Sequence, residues 1–314
     1  MSRMNAFLFV GQGSERVGMG ADLTAACAAC RAKFAAADEA LGQPLSRWIE
    51  EGPEEVLRST EIAQPALLTL GVAQAGHLMA RGVWPTALAG HSLGQYTALV
   101  IAGALNFSDA VRLVAVRGQL MQRAVPRGAG AMVAVSGLPR EVLAVACKLG
   151  NEHGVVGVAC FNAPGRAVLS GEADAVAVAA DACEDFGGGV VALPVSAPFH
   201  SALLAPMVPR FARLVAETPV QTPRIPVVDN VTAQPLRDAD AVRKSLVDQI
   251  EAPVLFDDSL RTLVELGVQR VIGCGPGTAG LKFAALTIPD VPRATFEETA
   301  AAASDMRGAH VGPV

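Results

Sequence analysis

The chain alternates short apolar runs with longer segments in which apolar residues recur at the three-to-four-residue spacing of a helix. The runs at residues 6–10 and 86–89 predict buried strands. Helices are predicted at residues 21–41, 65–81, 95–105 and 109–122. In the last of these, Ser108 is placed to act as the N-cap. Strands that alternate with helices in this way are typical of a parallel sheet covered by helices on both faces.

The pattern changes after residue 124, where short strands and helices follow one another in the order β-α-β-β-α-β. The strands are predicted at residues 131–135, 155–161, 167–170 and 190–194, and the helices at residues 140–149 and 173–186. This order is that of a ferredoxin-like domain. We therefore expect an α/β protein in which a large α/β-hydrolase-like domain carries a small ferredoxin-like insertion. The large domain is expected at residues 1–123 and 197–314, and the insertion at residues 124–196.

Two further buried strands of the large domain are expected at residues 227–228 and 268–272. The tail from Ala300 onward is rich in small residues, and we expect it to fray.

The composition limits the class of protein. With 314 residues, of which 51% are hydrophobic, the chain can bury a large core. The formal net charge of −5 and the lack of a basic run argue against nucleic-acid binding. No apolar run is long enough to span a bilayer, and the first ten residues lack the layout of a secretory signal. A cytoplasmic enzyme that binds neither nucleic acid nor membrane is expected.

The six cysteines are scattered along the chain, mostly in apolar surroundings, which favours buried structural thiols. Cys27 and Cys30 form a C-x-x-C pair. Because this pair lies in an alanine-rich segment predicted as helix and has no second ligand pair, we prefer a structural role to a metal or redox role.

Residues 90–94 have the sequence Gly-His-Ser-Leu-Gly and lie at the junction of a predicted strand and a predicted helix. A serine between two glycines at such a junction is typical of a nucleophile elbow. The glycines remove Cβ atoms that would crowd the turn, and the new helix points its first backbone N–H groups at the group under attack. Ser92 is therefore the predicted nucleophile.

A serine hydroxyl needs a base, and histidine is the usual one at neutral pH. His91 adjoins Ser92, but neighbouring side chains at an elbow point apart, so packing or polar support is the better interpretation. Three other histidines lie in a predicted helix, a turn and the tail: His77, His153 and His310. His200 lies on a loop before a helix expected to begin near Ala202. A histidine on such a loop can face a cleft, but its position alone leaves the role of base open.

A glycine-rich loop at residues 11–14 follows the first predicted strand, and it suggests a backbone that approaches a ligand closely. A dinucleotide site is an alternative. It is disfavoured, because Gly18 and Gly20 are misplaced for the Gly-x-Gly-x-x-Gly pattern and no acidic residue follows at the end of the next strand.

Six motifs occur in the order seen in the malonyl-CoA:acyl-carrier-protein transacylase family, which the chain resembles over roughly residues 5–298. They lie at residues 11–14, 90–94, 116–118, 161–165, 198–201 and 275–277. The resemblance implies a ping-pong acyl transfer from malonyl-CoA to the pantetheine thiol of an acyl carrier protein. It also implies no cofactor beyond the coenzyme A thioester, and an enzyme that usually works as a monomer.

The resemblance assigns roles to particular residues. It implies that His200 deprotonates Ser92 and that a main-chain carbonyl near Gln249 holds the histidine. The backbone N–H groups of Leu93 and Gln12 are implied as the oxyanion hole. For Gln249, a place on a surface helix is the alternative.

Arg117 is implied as the group that binds the free carboxylate of the malonyl unit, because its planar fork matches a carboxylate bidentately. Without the resemblance, a solvated helix arginine would be the preferred interpretation. Phe199, Gln64 and Asn162 are implied as further substrate-binding residues. For Gln64, packing at the start of a helix is nearly as good an explanation.

The chain departs from the family pattern at Val10, where proline is usual, and at Gln95, where glutamate is usual. The second departure leaves open a specialised paralogue that loads a polyketide synthase or the carrier subunit of a malonate decarboxylase. A serine thioesterase or hydrolase and a catalytically silent scaffold remain as alternatives from other functional classes.

Overall fold

The computed structural model describes residues 4–126, 128–195 and 197–308, with side chains as far as residue 303. Within these ranges, the predicted α/β fold is confirmed, and its strands form two five-stranded sheets. No helix of the described ranges combines the length and the apolar character needed to cross a membrane.

The large sheet is entirely parallel, with the strand order β10-β9-β1-β2-β7. Its strands are β1 (Asn5–Phe9), β2 (Pro85–Gly90), β7 (Val227–Val228), β9 (Arg270–Cys274) and β10 (Arg293–Thr295). The central strand β1 pairs with β2 on one side and β9 on the other. Because the strands are parallel, their carboxyl ends meet at one edge, where open α/β sheets bind their ligands.

The small sheet has the order β6-β3-β5-β4-β8. Its strands are β3 (Gly130–Ser136), β4 (Val156–Ala163), β5 (Arg166–Glu172), β6 (Gly189–Ala192) and β8 (Val254–Leu255). The first four pair antiparallel in the ferredoxin-like order. Strand β8 comes from much later in the chain and pairs parallel with β4, so it joins the small sheet to the rest of the molecule. The domain division at residues 123/124 and 196/197 stays a prediction, and Ser196 lies outside the described residues.

Fourteen α-helices and one 3₁₀ helix connect the strands in the described part of the chain. The α-helices are α1 (Ala21–Ala26), α2 (Ala28–Leu41), α3 (Leu45–Glu51), α4 (Glu54–Leu57), α5 (Thr60–Met79), α6 (Leu93–Ile101), α7 (Phe107–Ala124), α8 (Arg140–Gly150), α9 (Ala173–Asp185), α10 (Val208–Glu217), α11 (Ala239–Asp248), α12 (Phe256–Glu265), α13 (Ala279–Thr287) and α14 (Phe296–Gly308). The 3₁₀ helix spans Ala202–Met207.

Three details of the helix predictions were wrong. The helix expected at residues 21–41 breaks at Cys27, whose extended backbone (φ −130°) interrupts it. The N-cap of α7 is Asn106 rather than Ser108, and Oδ1 of Asn106 accepts the Ser108 backbone N–H at 2.9 Å. Residues 300–308 continue α14 instead of fraying, while residues 309–314, including His310, lie outside the described part.

The side chains of β1 alternate between two cores, as the two-residue period of a strand requires. Phe7 and Phe9 pack into the core formed with α5, α6 and α7. Ala6 and Leu8 face the opposite side, where β2, β9 and α12 complete a second core. Helix α5 is buried along most of its length, so its apolar residues lie on all of its sides.

Candidate active site

The carboxyl ends of β1 and β2 and the loop that follows β9 border a cleft of about 560 Å³. Met132 and Val168 of the small sheet line its opposite wall. The cleft therefore lies between the two sheets, at the edge where the parallel strands end.

Ser92 occupies the turn between β2 and α6 and faces this cleft. Its backbone has φ 50° and ψ −105°, a conformation that L-residues rarely adopt and that costs about 1–3 kcal/mol. A Cβ on Gly94 would overlap the carbonyl oxygen of Phe9, and a Cβ on Gly90 would overlap the backbone of Gly94. Gly94 is therefore required by close packing of the elbow against the end of β1, and Gly90 by the tightness of the elbow itself.

Asn230 holds the strained elbow from the neighbouring strand. Its Oδ1 accepts the Ser92 backbone N–H at 2.8 Å, and its Nδ2 donates to the carbonyl oxygen of Gly90 at 2.7 Å. Asn230 follows β7, which pairs with β2, so the topology brings it beside the turn. The side chain bridges the two ends of the elbow and satisfies backbone groups that the turn leaves without partners.

Gln95 in turn holds Asn230 in place. Its Oε1 accepts the Asn230 backbone N–H at 2.7 Å, and its Nε2 donates to Oγ of Ser245 at 2.7 Å and Oδ1 of Asp229 at 3.4 Å. Ser245 also donates to Asp229. An amide fits position 95 because it supplies a donor toward the buried Asp229 carboxylate, which a glutamate at this position could not do.

The structure brings His200 to Ser92, although the two are 108 residues apart. Nε2 of His200 lies 2.8 Å from Oγ of Ser92, and Nδ1 lies 2.8 Å from the carbonyl oxygen of Gln249. A carbonyl oxygen only accepts, so Nδ1 carries the proton and the lone pair of Nε2 faces the serine hydroxyl. This tautomer is the one a general base needs.

The surroundings of His200 keep it uncharged. Burial, followed by the positive charge of Arg117 and the nearby His91, lowers the pKa of His200 to about 3. At neutral pH the imidazole is therefore a free base rather than an imidazolium.

Arg117 is buried, with 1% of its surface exposed, and its guanidinium reaches the same hydroxyl. Nη1 donates to Oε1 of Gln64 at 2.9 Å, and Nη2 donates to Oγ of Ser92 at 3.2 Å and Oε1 of Gln249 at 3.0 Å. Its buried Nε–H has no hydrogen-bond partner among the described residues. The interpretation of Arg117 as a solvated helix residue is therefore wrong.

No Asp or Glu of the described ranges forms an ion pair with Arg117. Burial lowers the pKa of the Arg117 guanidinium. Its partners among the described residues are uncharged: two glutamine amides, the Ser92 hydroxyl and the ring of Tyr96, whose centroid lies 5.2 Å from Cζ. A buried cation surrounded by uncharged groups is costly unless an anion joins it. The site is therefore electrostatically incomplete without a bound negative group.

Gln249 is fully buried at the C-terminus of α11, so the surface-helix alternative for it is wrong. Besides holding His200 and Arg117, it donates from Nε2 to the Ser92 carbonyl oxygen at 3.2 Å and to Oδ1 of Asn230 at 3.0 Å. One glutamine thus contacts Ser92, His200, Arg117 and the residue that supports the elbow.

The remaining candidate residues all lie around the cleft. Leu93 begins α6, so its backbone N–H has no carbonyl one turn earlier in the helix to bond. Gln12 lies on the glycine-rich loop after β1, and its Nε2 donates to Oγ1 of Thr60 at 3.3 Å. Phe199 is partly buried at the cleft wall, next to the base.

Asn162 lies on β4, and its Oδ1 is 2.8 Å from Nε2 of His91. His91 packs edge-on against Phe256, with ring centroids 5.2 Å apart, and burial lowers its pKa. His91 therefore has the polar packing role predicted for it. Asn162 lines the cleft while its side-chain oxygen is engaged by this histidine.

Five of the six cysteines are free and buried, as expected. Cys160 lines the cleft, and burial raises its pKa to about 12, so it is no competing nucleophile. Cys27 is the exception, since it is only half-buried.

Sequence reasoning missed Asn230, Asp229 and Ser245. The pair Asp229-Asn230 directly follows the predicted strand at residues 227–228, and polar residues at the carboxyl end of a parallel strand are a signal that could have found them. Ser245 carries no comparable signal, because only packing of α11 against the elbow brings it there.

Comparison with known proteins gives a consistent result. The family model described as "Acyl transferase domain" matches residues 6–278. The malonyl CoA-acyl carrier protein transacylase of Escherichia coli (strain K12) is 43% identical over 279 residues, which cover 87% of this chain and 89% of that protein.

Solved structures that resemble this chain are also malonyl-transferring enzymes by name. An acyl carrier protein S-malonyltransferase from Vibrio cholerae has a TM-score of 0.90 at 39% identity, covering 93% of this chain and 96% of that one. A malonyl-transacylase solved in complex with its type II polyketide synthase acyl-carrier protein has a TM-score of 0.93 at 37% identity. The match covers 96% of this chain and 99% of that one. The chain therefore belongs to the malonyl-CoA:acyl-carrier-protein transacylase family of acyl transferase domains.

Proposed function

We propose that the chain transfers a malonyl group from malonyl-CoA to the phosphopantetheine thiol of an acyl carrier protein, through a covalent malonyl ester of Ser92. The single observation that carries this proposal is the buried guanidinium of Arg117, which lies 3.2 Å from the nucleophile and has no carboxylate partner in the described part of the chain. A substrate that brings its own carboxylate supplies that partner.

The dimensions suit a malonyl unit. In malonyl-CoA the thioester carbon and the carboxylate carbon are joined through one methylene group, so they lie about 2.5 Å apart, given C–C bonds of about 1.5 Å. When Ser92 attacks the thioester carbon, the carboxylate is within reach of the guanidinium, whose fork binds it bidentately. An acetyl group reaches the same serine but leaves Arg117 buried and unpaired.

The first half-reaction starts with Oγ of Ser92 giving its proton to Nε2 of His200 while it attacks the thioester carbon. The negative charge that develops on the carbonyl oxygen is stabilised by the backbone N–H groups of Leu93 and Gln12, and the loss of one such donor typically costs about 3 kcal/mol. When the C–S bond breaks, the coenzyme A sulfur takes the proton from His200. The products are malonyl-Ser92 and free coenzyme A.

The second half-reaction repeats these steps with the pantetheine thiol as nucleophile. His200 accepts the thiol proton, the oxyanion forms in the same place, and the proton returns to Oγ of Ser92 as the ester breaks. The carbonyl of Gln249 stabilises the imidazolium in both halves, so no aspartate is needed behind the histidine. Phe199 narrows the pocket against an α-methyl group, and Gln64 and Asn162 complete its wall.

The partner is an acyl carrier protein, as in the complex of the similar malonyl-transacylase. Carrier proteins are acidic, so we expect docking to be electrostatic, and added salt should raise the KM for the carrier more than the KM for malonyl-CoA. The proposal includes a monomeric, cytoplasmic enzyme that works without a further cofactor, and it leaves open whether the carrier serves fatty-acid synthesis, a polyketide synthase or a malonate decarboxylase.

Intact-mass measurement after mixing with malonyl-CoA tests the proposal. Wild-type protein should gain one malonyl group and lose it when a pantetheinylated carrier is added, whereas Ser92→Ala should gain none. The hydrolase alternative uses the same serine and base with water as acceptor. Hydrolysis of malonyl-CoA faster than transfer to the carrier would therefore favour the hydrolase, and a wild-type protein that forms no adduct would favour a scaffold.

A further inference from the structure

A second cluster of reactive side chains lies outside the cleft, where α2 packs against the C-terminal half of α5. It consists of Cys27, Cys30 and His77, whose two sulfur atoms and Nδ1 nitrogen all lie within 4.8 Å of one another. Its members come from two segments 47 residues apart in sequence, so tertiary packing forms it. None of these residues has a part in the acyl-transfer steps above.

The two thiols have different surroundings. Cys27 is half-buried and is the N-cap of α2, where its Sγ accepts the Cys30 backbone N–H at 3.2 Å. Burial alone would raise the pKa of this thiol, but hydrogen bonds from the Cys30 thiol and from the backbone N–H groups of Cys30 and Ala29 outweigh it, so the pKa of Cys27 is lowered. A thiol at a helix N-terminus that ionises readily is a nucleophile toward disulfides.

The Cys30 thiol, by contrast, is buried and has a raised pKa. Only 3% of its surface is exposed, and its Sγ lies 3.7 Å from the carbonyl oxygen of Ala73 and 3.7 Å from Nδ1 of His77. Burial and the neighbouring Cys27 raise the pKa of Cys30 to about 12. Burial and the charge of Arg81 lower the pKa of His77, so its imidazole is neutral at neutral pH.

The position and charge of Arg81 favour a dithiol over a metal site at this cluster. Its Nη1 lies 3.2 Å from Nδ1 of His77, and because a guanidinium only donates, that nitrogen's lone pair is already engaged. The charge of Arg81 also favours the Cys27 thiolate and opposes a cation in the same place. Among the described residues the cluster offers three ligand atoms, one fewer than a closed structural zinc site has.

We propose that Cys27 and Cys30 form a redox-active dithiol that is oxidised by low-molecular-weight disulfides. The Cys27 thiolate attacks one sulfur of the disulfide, which forms a mixed disulfide and releases the other half as a thiolate that takes a proton from water. The sulfur of Cys30 then attacks Sγ of Cys27 and expels the second half as a thiolate, which takes the proton that Cys30 gives up. The protein loses two hydrogens and two electrons, and the disulfide is reduced to two thiols.

Intact-mass analysis of the full chain with oxidised glutathione tests this proposal. The wild-type protein should lose about 2 Da, and the loss should be reversed by reduced glutathione. Cys30→Ser, which lacks the resolving thiol, should instead keep a glutathione adduct of about 305 Da at Cys27. Cys27→Ser should show neither change. Cys147→Ser is the matched control, because it removes a buried thiol elsewhere and should behave as wild type.

Three results would overturn the proposal. The first is a wild-type chain that shows no 27–30 disulfide on peptide mapping at any ratio of oxidised to reduced glutathione. The second is equal iodoacetamide reactivity of Cys27 and Cys147, where we expect Cys27 to react at least about tenfold faster. The third is stoichiometric zinc that is retained by wild type, lost in Cys27→Ser, and protects both thiols from oxidation, since that outcome identifies a metal site.

Discussion

Nη2 of Arg117 lies 3.2 Å from Oγ of Ser92, so the cation proposed to bind the substrate's carboxylate directly contacts the proposed nucleophile. The same nitrogen donates to Gln249, and His200 approaches the hydroxyl from the other side. The hydroxyl therefore accepts from a guanidinium while it donates to an imidazole. Both contacts stabilise negative charge on the serine oxygen, and among the described residues the guanidinium has no anionic partner.

Replacement of Arg117 should impair malonyl loading much more than acetyl loading. Arg117→Ala should reduce the kcat/KM for malonyl loading by roughly 100-fold or more, because a buried charge-assisted pair is worth about 3–5 kcal/mol when one partner is removed. The rate of acetyl loading should change much less. The kcat/KM of Arg117→Lys for malonyl loading should lie between those of wild type and Arg117→Ala, since lysine keeps the charge but lacks the planar, two-pronged guanidinium. Loading rates measured by mass for both thioesters check this, and equal losses for the two would refute the carboxylate role.

The pH dependence of malonyl loading should differ between the free enzyme and the complex. Because the pKa of His200 is about 3, the kcat/KM should have no acid limb near pH 6.5, where an ordinary imidazole would lose its base function. Bound malonate carboxylate neutralises Arg117 and so removes one cause of the low pKa. The acid limb of kcat should therefore lie at higher pH than that of kcat/KM, and stopped-flow loading between about pH 3 and pH 8 compares the two.

The same histidine affects stability with a defined sign. Its pKa is lowered on folding, so between about pH 6.5 and pH 3 the unfolded chain binds a proton at His200 that the folded chain does not. The free energy of unfolding should therefore fall as the pH decreases through that window, and the His200→Asn variant should lack this contribution. Parallel denaturant titrations of the two proteins at pH 7 and pH 5 compare them. An identical pH dependence would contradict the low pKa.

Asn230 should be needed for catalysis through the elbow. Asn230→Ala leaves the Ser92 N–H and the Gly90 carbonyl without their partner, so we expect the free energy of unfolding to fall by about 2–4 kcal/mol and kcat to fall at least tenfold. Asn106→Ala is the control. It removes the N-cap of α7, far from the nucleophile, and should cost about 1 kcal/mol of stability with kcat unchanged. If kcat is unaffected in Asn230→Ala, the positioning role is wrong.

The effects of substitutions at Gln95 and Asp229 on stability should be coupled, because the two side chains are hydrogen-bonded. Gln95→Glu removes the donor to Asp229 and places a second buried carboxylate beside it, so stability at pH 7 should fall by about 2 kcal/mol or more. Adding Asp229→Asn to that variant restores a donor and an acceptor and should recover most of the loss. A double-mutant cycle by chemical denaturation measures the coupling. Additive effects of the two changes would show that the residues do not interact.

Much of the fold was predictable because its signals are local. The two-residue period of strands, the longer period of helices and the glycines of the elbow are carried by neighbouring residues, so the strand, turn and helix around Ser92 match the prediction closely. The helix boundaries were less accurate. The break at Cys27 and the cap at Asn106 depend on backbone hydrogen bonds that composition does not reveal.

For the site, the residues alone pointed to Ser92 as a candidate nucleophile, and the family resemblance pointed to the other candidate residues. It could not supply the network of Asn230, Asp229 and Ser245, nor the pairing of the two cysteines with His77, because these contacts join segments far apart in the chain. Neither could it tell a solvated arginine from a buried one, since burial is a property of the packed molecule.

The amino-acid sequence by itself determined the α/β class, the elbow and the identity of the reactive groups, because these follow from local periodicity and side-chain chemistry. The tertiary structure decided which of those groups meet. It placed Arg117, His200 and Gln249 around Ser92, enclosed the guanidinium with no anionic partner among the described residues and lowered the pKa of His200. Solvent exclusion and the distances between charges set these properties, and both arise only when distant segments pack together.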